Sequence, residues 1–400
     1  MSALKLVEAA EGAAQPAPSG RDLPIDFLRG VVLVAMTCVH VELTSAYSFL
    51  VWERVGVLSS AEGFVILSGV VLGMVSRRRI ERRGFSHAAA RVIDRGAQLY
   101  RANVVLALAF LLLTASGLID TFEATHFTNR STGEVWPTFP SEGTPPQQAL
   151  ALLALLRMGP HQTQVLGLYV CVMFLTPIAL WLLHKGRTGL LMGGSFVLYS
   201  YYQVSHARPT SAQFEYAFPL LAWQLLFFGA LAVGYHREAI RDWLDIGVRR
   251  RLTLTAAAVI SLACLVFAWC ADNPHLPEWA SLGLLTPETY GLIYDRYCQK
   301  SSLGLLRVTN NVALLSLAWW GLHRLWPILG PTLGRLFVPI GQASLYVFLV
   351  HVFVVTLIAN VLPFGFAPEG FWANTLAHTA AVALLYAMVK RQVLYRWIPR

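Results

Sequence analysis

Apolar stretches of about 20 residues recur along the whole chain, and they restrict its fold more than any other feature. A helix needs about 20 apolar residues to cross the roughly 30 Å hydrocarbon core of a bilayer. Of the 400 residues, 56% are hydrophobic and 13% are charged, which is too little charge to cover the surface of a soluble domain of this length. The sequence therefore predicts an all-α, polytopic membrane protein.

About ten membrane-spanning helices are expected, with both termini in the cytoplasm. Basic residues cluster between alternate spans, as in "SRRRIERRGFSHAAARVIDR" (76–95), which is the charge bias of cytoplasmic loops. Roughly 22 of the 31 Lys and Arg then lie inside and about five outside. This bias explains the net charge of +9 without a nucleic-acid partner. The predicted spans are 24–43, 56–76, 98–119, 161–183, 188–204, 217–236, 251–271, 304–322, 336–361 and 371–389.

The rest of the chain predicts a simple domain organisation. Residues 1–22 are expected to form a disordered cytoplasmic N-terminus, and 23–400 a single transmembrane domain. Two outer loops, about 120–147 and 272–302, are long enough to be lids or binding loops. The apolar stretch after the first loop, "ALALLALLRMG", is too short to span and is expected to be re-entrant or interfacial. The five cysteines show no metal-ligand spacing, so no metal is expected. A permanently bound cofactor is not expected either.

Charged residues in the first two spans indicate a functional site, because charge is costly in hydrocarbon. Arg29 and His40 are eleven residues apart, close to three helical turns, so their side chains share one face. Asp26 is placed to pair with Arg29. The second span enters the membrane from outside, which places Glu62 at about the depth of His40. A carboxylate beside an imidazole orients the ring and raises its basicity. The structural alternative is an interfacial ion pair and a hydrogen-bonded core histidine.

Further polar side chains are predicted within or beside the later spans. Each could join two helices, but together with two intramembrane histidines they indicate a polar cavity or tunnel. Arg95 and Arg101 at the inner face suit a phosphorylated ligand, whereas Arg91 is interpreted as an ordinary cytoplasmic anchor. The remaining candidates are Ser68, Trp223, Gln224, Lys300, Arg307, Tyr346 and His351.

These residues resemble the motifs of a known family. The spacing from Arg29 to His40 is similar to the R/K-X10-H motif of the acyltransferase-3 superfamily. "EGFVILSG" (62–69) resembles its F-x-x-x-SG motif, and "GQASLYVFLVH" (341–351) its S-x-Y-x-hydrophobic-H pattern. "RDLPIDFLRG", "PLLAWQLLFFGA" and "KSSLGLLR" resemble the OpgC-type branch, which succinylates osmoregulated periplasmic glucans. The similarity covers most of the chain, but residues 164–167 lack the Asp and Pro of that branch, and 272–302 has no counterpart.

The resemblance implies transfer of an acyl group, succinyl in this branch, across a bacterial inner membrane. Cytoplasmic succinyl-CoA would be the co-substrate and a periplasmic glucan hydroxyl the acceptor. His40 would be the general base, oriented by Glu62. Arg29, Arg95 and Arg101 would hold CoA phosphates or the succinyl carboxylate.

The route of transfer and the function class have alternatives. Ser68, Gln224 or Tyr346 would stabilise the oxyanion. Direct transfer is favoured, because no Cys or Ser has an obvious partnered base. An acyl-histidine intermediate is the alternative route. The alternative acyltransferase is an O-acetyltransferase of another surface glycan or a lipid-linked sugar. A proton-coupled transporter would also explain buried histidines and a carboxylate, but not the Arg-to-His spacing followed by the SG motif. The sequence leaves the oligomeric state open.

Overall fold

The fold is almost entirely helical, which confirms the all-α polytopic prediction. A computed structural model describes residues 21–129, 132–141, 143–271, 278–365 and 370–399. The predicted N-terminal segment lies outside the described residues except for Arg21 and Asp22. The main helices are α1 (Leu23–His40), α2 (Ser60–Arg83), α3 (Phe85–Ser116), α4 (Val165–His184), α5 (Thr188–Ser205), α6 (Leu220–Tyr235), α7 (Gly247–Ala268), α8 (Leu305–Leu329), α9 (Gly334–Gln342), α10 (Ser344–Ala359) and α11 (Phe371–Lys390).

Each predicted span coincides with one of these helices, except 336–361, which covers two, and not all of the helices are long and apolar enough to cross a membrane alone. Within the described chain seven qualify: α1, α2, α3, α4 with its preceding turn, α7, α8 and α11. The pair α9 and α10 makes an eighth if it counts as one span. Of the other two, α6 is apolar but only 16 residues long, and α5 is too polar. The orientation of the termini stays a prediction.

The predicted span 336–361 is wrong as a single helix. Helices α9 and α10 meet at 97°, with Ala343 at the break. Pro339 lies within α9, and a proline removes one backbone hydrogen-bond donor from the helix. The bend directs α10 into the middle of the molecule, where almost every side chain from Ser344 to Thr356 is buried. Such burial on all sides is typical of a central helix.

The first outer loop contains short elements. Strand β1 (His126–Thr128) pairs antiparallel with β2 (Val135–Pro137). Short helices cover Phe122–Thr125 and Pro146–Ala154 in and just after this loop. Elsewhere in the described chain, further short segments are Ala46–Phe49, His161–Thr163, Gln213–Tyr216 and Arg237–Leu244. The predicted re-entrant stretch thus begins as a nine-residue helix, too short to span.

Part of the second outer loop, 272–277, lies outside the described residues. The described part contains Glu278–Ala280, a helix over Pro287–Ile293 and a π-helical turn over Tyr294–Cys298.

Glycines set the closest contact between α1 and α9. A Cβ atom on Gly341 would lie 1.7 Å from the carbonyl oxygen of Asp26, and one on Gly30 would lie 2.0 Å from that of Phe337. The two backbones therefore touch at a distance that no side chain allows, as small residues permit in membrane helices. This contact positions the start of α10 against the N-terminal half of α1.

Glycines also allow the backbones of α2 and α6 to pack closely. Added Cβ atoms on Gly73 and Gly69 would lie 2.1 Å and 2.7 Å from backbone oxygens of α6, and one on Gly234 would lie 2.0 Å from Val70 of α2. These glycines therefore serve helix packing and hold α2 directly against α6.

Candidate functional site

Two histidines on α1 and α10 form the centre of the candidate site. His40 Nδ1 lies 2.8 Å from His351 Nε2, and the two rings stack with centroids 5.1 Å apart. His351 is 1% exposed, whereas His40 is only partly buried. The predicted shared face of Arg29 and His40 is confirmed, because both side chains contact α10.

The backbone fixes which ring nitrogens carry protons. His351 Nδ1 lies 2.5 Å from the carbonyl oxygen of Phe348, and a carbonyl only accepts hydrogen bonds, so this nitrogen donates. In the neutral ring His351 Nε2 then accepts, and it accepts from His40 Nδ1. His40 Nε2 is left with its lone pair, and no described residue hydrogen-bonds to it. The arrangement presents a basic nitrogen on the more exposed ring.

The predicted pairing of Glu62 with His40 is wrong. One carboxylate oxygen of Glu62 accepts from Arg307 at 2.7 Å, and the other accepts from the backbone and hydroxyl of Ser59. Arg307 is fully buried and also pairs with Glu53. A buried carboxylate needs a cation and hydrogen-bond donors, and Arg307 and Ser59 supply both. Glu62 therefore anchors the start of α2 to the start of α8.

Arg29 lies about three turns before His40, where α1 meets the start of α10. Its guanidinium donates to the hydroxyl of Ser344 and lies 3.6 Å from the carboxylate of Asp26, so the predicted local pair is present. Ser344 and His351 are seven residues apart on α10, about 10 Å along the axis. Arg29 and His40 thus contact the same helix at two depths.

A cavity of about 640 Å³ opens beside Arg29. Ser68, Arg95 and Arg101 line it together with Arg79 and Arg91, so Arg91, which the sequence indicates as an ordinary anchor, also lies at this cavity. Five guanidinium groups around one cavity suit a ligand with several phosphates.

Aromatic side chains separate this cavity from the histidines. Phe64 and Phe348 both line the cavity and stack with centroids 5.4 Å apart. The Phe348 ring also lies 5.5 Å from that of His351. The apolar end of the cavity therefore borders the histidine pair.

Three predicted candidates lie elsewhere. Gln224 uses its amide to join α6 to α5, accepting from the Ser195 hydroxyl at 2.6 Å and donating to its carbonyl at 2.8 Å. Tyr346 packs against Tyr395 at 4.7 Å, toward the C-terminal segment. Trp223 donates to the carbonyl of Ser301 at 3.3 Å. No described contact links these side chains to His40, because their positions on their helices turn them toward other neighbours.

Lys300 lies in the second outer loop. Its ammonium lies 5.6 Å from the centre of the Phe218 ring, and the carboxylates of Glu62 and Glu53 are the negative charges that act on it. No hydrogen bond or ring contact in the described chain joins Lys300 to His40.

Three residues near the site were absent from the predicted set. The ring of His161 lies 6.4 Å from that of His40, edge to face. His378 on α11 places Nε2 3.1 Å and 3.0 Å from the carbonyls of Cys38 and Val41, which holds the end of α1 that carries His40. Glu53 forms the second ion pair of Arg307, beside Glu62. Of these three residues, only His161 is indicated by the sequence, because it is a polar residue at the outer end of an apolar predicted span.

The family comparison agrees with the sequence motifs. The family described as OpgC protein matches residues 21–397, so the chain belongs to the OpgC family. Membership supports acyltransferase activity at the level of the family. Neither a curated protein nor a solved structure shows detectable similarity to the chain.

Proposed function

We propose that this OpgC-family membrane protein moves a succinyl group from cytoplasmic succinyl-CoA to a hydroxyl of a periplasmic glucan. The observation that carries the proposal is the tautomer chain from the Phe348 carbonyl through His351 to His40. It presents a basic nitrogen at a partly exposed ring, next to a cavity lined by arginines. A proton relay in a transporter needs no such arginine cavity.

In the proposed reaction His40 is the general base. His40 Nε2 takes the proton of the acceptor hydroxyl while that oxygen attacks the thioester carbonyl carbon. The new C–O bond forms, the C–S bond breaks, and the imidazolium returns the proton to the departing thiolate. His351 acts as a positioning residue, because its acceptor nitrogen holds the imidazole of His40 in one tautomer and orientation.

The arginine cavity is proposed as the binding site for the phosphates of CoA. Arg29 lies about 16 Å along α1 from His40, at 1.5 Å per residue. The phosphate end and the reacting thioester are then separated by the pantetheine arm, an extended flexible chain. The arm would pass Phe64 and Phe348 to reach the histidine pair, and Ser68 would lie along its path.

The test is a transfer reaction with the purified full-length protein in detergent. Succinyl-CoA or acetyl-CoA is offered with a glucan oligosaccharide, and the products are analysed by mass spectrometry. We expect ester-linked succinate on the glucan, a loss of at least about 100-fold in His40→Ala, and wild-type rates in the control His323→Ala. Transfer of acetyl alone would favour the O-acetyltransferase alternative. No transfer from either thioester, with the protein folded, would overturn the proposal.

A further inference from the structure

Two half-exposed aromatic side chains stack on each other across the β1–β2 hairpin. Phe127 is paired with Trp136 in the register of the two strands, and the ring centroids lie 5.8 Å apart with 19° between the ring planes. Phe127 is 42% exposed and Trp136 is 45% exposed. Within the described residues Trp136 stacks on no other ring. An exposed aromatic pair of this kind is suited to pack against a ligand that has an apolar face.

A line of rings joins this aromatic pair to the histidine pair. The ring of Phe127 lies 5.5 Å from that of His161, edge to face, and the ring of His161 lies 6.4 Å from that of His40 in the same arrangement. The hairpin also follows the end of α3, where Ser116 lies about 22 Å along the helix from Arg101. The aromatic pair therefore lies on the histidine side of the molecule, away from the arginine cavity.

The base of the hairpin is fixed by hydrogen bonds to the segments around it. The backbone nitrogen of Thr138, directly after β2, donates to the carbonyl of Thr125 at 2.8 Å. The carbonyl of Thr138 accepts from the backbone nitrogen of Gly159 and from the side-chain amide of Gln213, both at 3.2 Å. These bonds set the position of the two rings before any ligand binds, which lowers the entropic cost of binding.

A buried polar atom next to His161 lacks a hydrogen-bond partner. Gln162 follows His161 in the same short segment and is 4% exposed. Its side-chain nitrogen donates to the carbonyl of Glu123 at 2.6 Å, whereas its side-chain oxygen accepts no hydrogen bond within the described part of the chain. An unpaired buried amide oxygen is unfavourable, so this position suits a ligand that brings hydroxyl donors.

A sugar chain has both properties. The C–H groups of a pyranose ring form an apolar face that packs on an aromatic ring, and its hydroxyls donate hydrogen bonds around the edge. We propose that Phe127 and Trp136 bind one sugar unit of the acceptor glucan, while a neighbouring unit of the same chain reacts at His40. The inference rests on the proposed function. Each step along the line of rings is close to the length of one sugar unit, so the chain passes His161 on its way to His40.

Anchoring in the lipid interface is the alternative use of exposed aromatic side chains in a membrane protein. It accounts less well for Phe127, whose ring contacts His161 within the protein. Trp136 stacks on Phe127, so the contact with His161 and the exposed ring belong to one unit.

The test measures the Kd of the glucan oligosaccharide by calorimetry, without any acyl-CoA, and the KM of both substrates in the transfer reaction. We expect Trp136→Ala to raise the Kd and KM for the glucan about threefold to tenfold. The KM for succinyl-CoA and kcat stay unchanged, because the contact is equal in the ground and transition states. Trp136→Phe keeps an aromatic face and most of the affinity.

The matched control is Trp279→Ala in the second outer loop. Trp279 is 75% exposed and stacks on Phe49 at 5.8 Å, so it is also an exposed, stacked aromatic residue. We expect the control to keep the wild-type Kd for the glucan.

Two outcomes would overturn the inference. If Trp136→Ala binds the glucan with the wild-type Kd, the aromatic pair does not contact the acceptor, and lipid anchoring becomes the better explanation. If Trp279→Ala weakens binding as much as Trp136→Ala, the effect is not specific to the hairpin. Failure of the proposed function is a different result, since the glucan would then bind to the wild type and less tightly to Trp136→Ala, but no acyl group would be transferred.

Discussion

At the scale of single residues, the site depends on which partner each buried charge takes. The sequence predicts that Glu62 pairs with His40, but Arg307 holds that carboxylate and His351 holds the imidazole. A full buried charge gains most from an opposite full charge, whereas a neutral imidazole needs only one acceptor. Helical spacing gives the depth of a side chain but not which of its neighbours carries the stronger charge.

His351 is expected to act through His40 rather than on the substrate. Replacing it by leucine removes the acceptor for His40 Nδ1, so we expect kcat to fall about 100-fold. His351→Gln can still offer an oxygen at a similar reach and should recover part of this loss. Steady-state kinetics measure kcat of the leucine and glutamine variants, and we expect KM for succinyl-CoA to stay unchanged in both. Equal activity in the leucine variant and the wild type would contradict the tautomer chain.

Arg307 is expected to matter mainly for stability. Arg307→Gln leaves the carboxylates of Glu53 and Glu62 together without their cation, which costs about 3–5 kcal/mol in a buried pair. Glu62→Gln costs less, because Arg307 keeps Glu53. Chemical unfolding in micelles measures the free energy of unfolding of both variants. A Glu62→Gln protein of normal stability that has lost transfer activity would return Glu62 to the catalytic machinery.

At the scale of elements, the bend between α9 and α10 places Ser344 and His351 along α1. The direct backbone contacts of Gly30 and Gly341 with the opposite helix hold α9, and with it the bend, against α1. The sequence placed a polar, motif-bearing span in this region correctly. It did not reveal the 97° angle, because the apolar composition continues across the break.

Gly341→Ala is expected to destabilise the protein by about 1–3 kcal/mol, since its Cβ meets a carbonyl oxygen and must push α1 and α9 apart. Gly193→Ala is the matched control within α5, where an added Cβ meets nothing within 4 Å. Thermal unfolding in detergent should give a lower midpoint for Gly341→Ala and an unchanged or higher one for Gly193→Ala. Equal midpoints would show that the close contact is not needed.

At the scale of the whole molecule, the arginine cavity and the histidine pair lie at different positions along α1. Arg29, Arg95 and Arg101 lie around one cavity, while His40 stacks on His351 outside it. Alternating topology and hydropathy are encoded locally, so the sequence predicts this division. Contacts such as Glu53 with Arg307 join residues 254 positions apart, and no local pattern predicts them.

Arg101 tests the assignment of the cavity. It is exposed, lines the cavity and has no side-chain partner in the described chain, so its loss should not disturb the fold. We expect Arg101→Gln to raise KM for succinyl-CoA about threefold to tenfold without changing kcat, because the contact is equal in the ground and transition states. Arg251→Gln, an exposed arginine outside the cavity, should keep the wild-type KM. A fall in kcat with an unchanged KM would contradict phosphate binding.

Transfer between two sealed compartments tests most directly whether His40 serves reactants from both sides of the membrane. The protein is placed in proteoliposomes with succinyl-CoA inside and the glucan outside, and succinate on the external glucan is measured. We predict external succinylation by the wild type and none by His40→Ala in equally tight vesicles. Succinylation that occurs only when both reactants share one compartment would contradict the account.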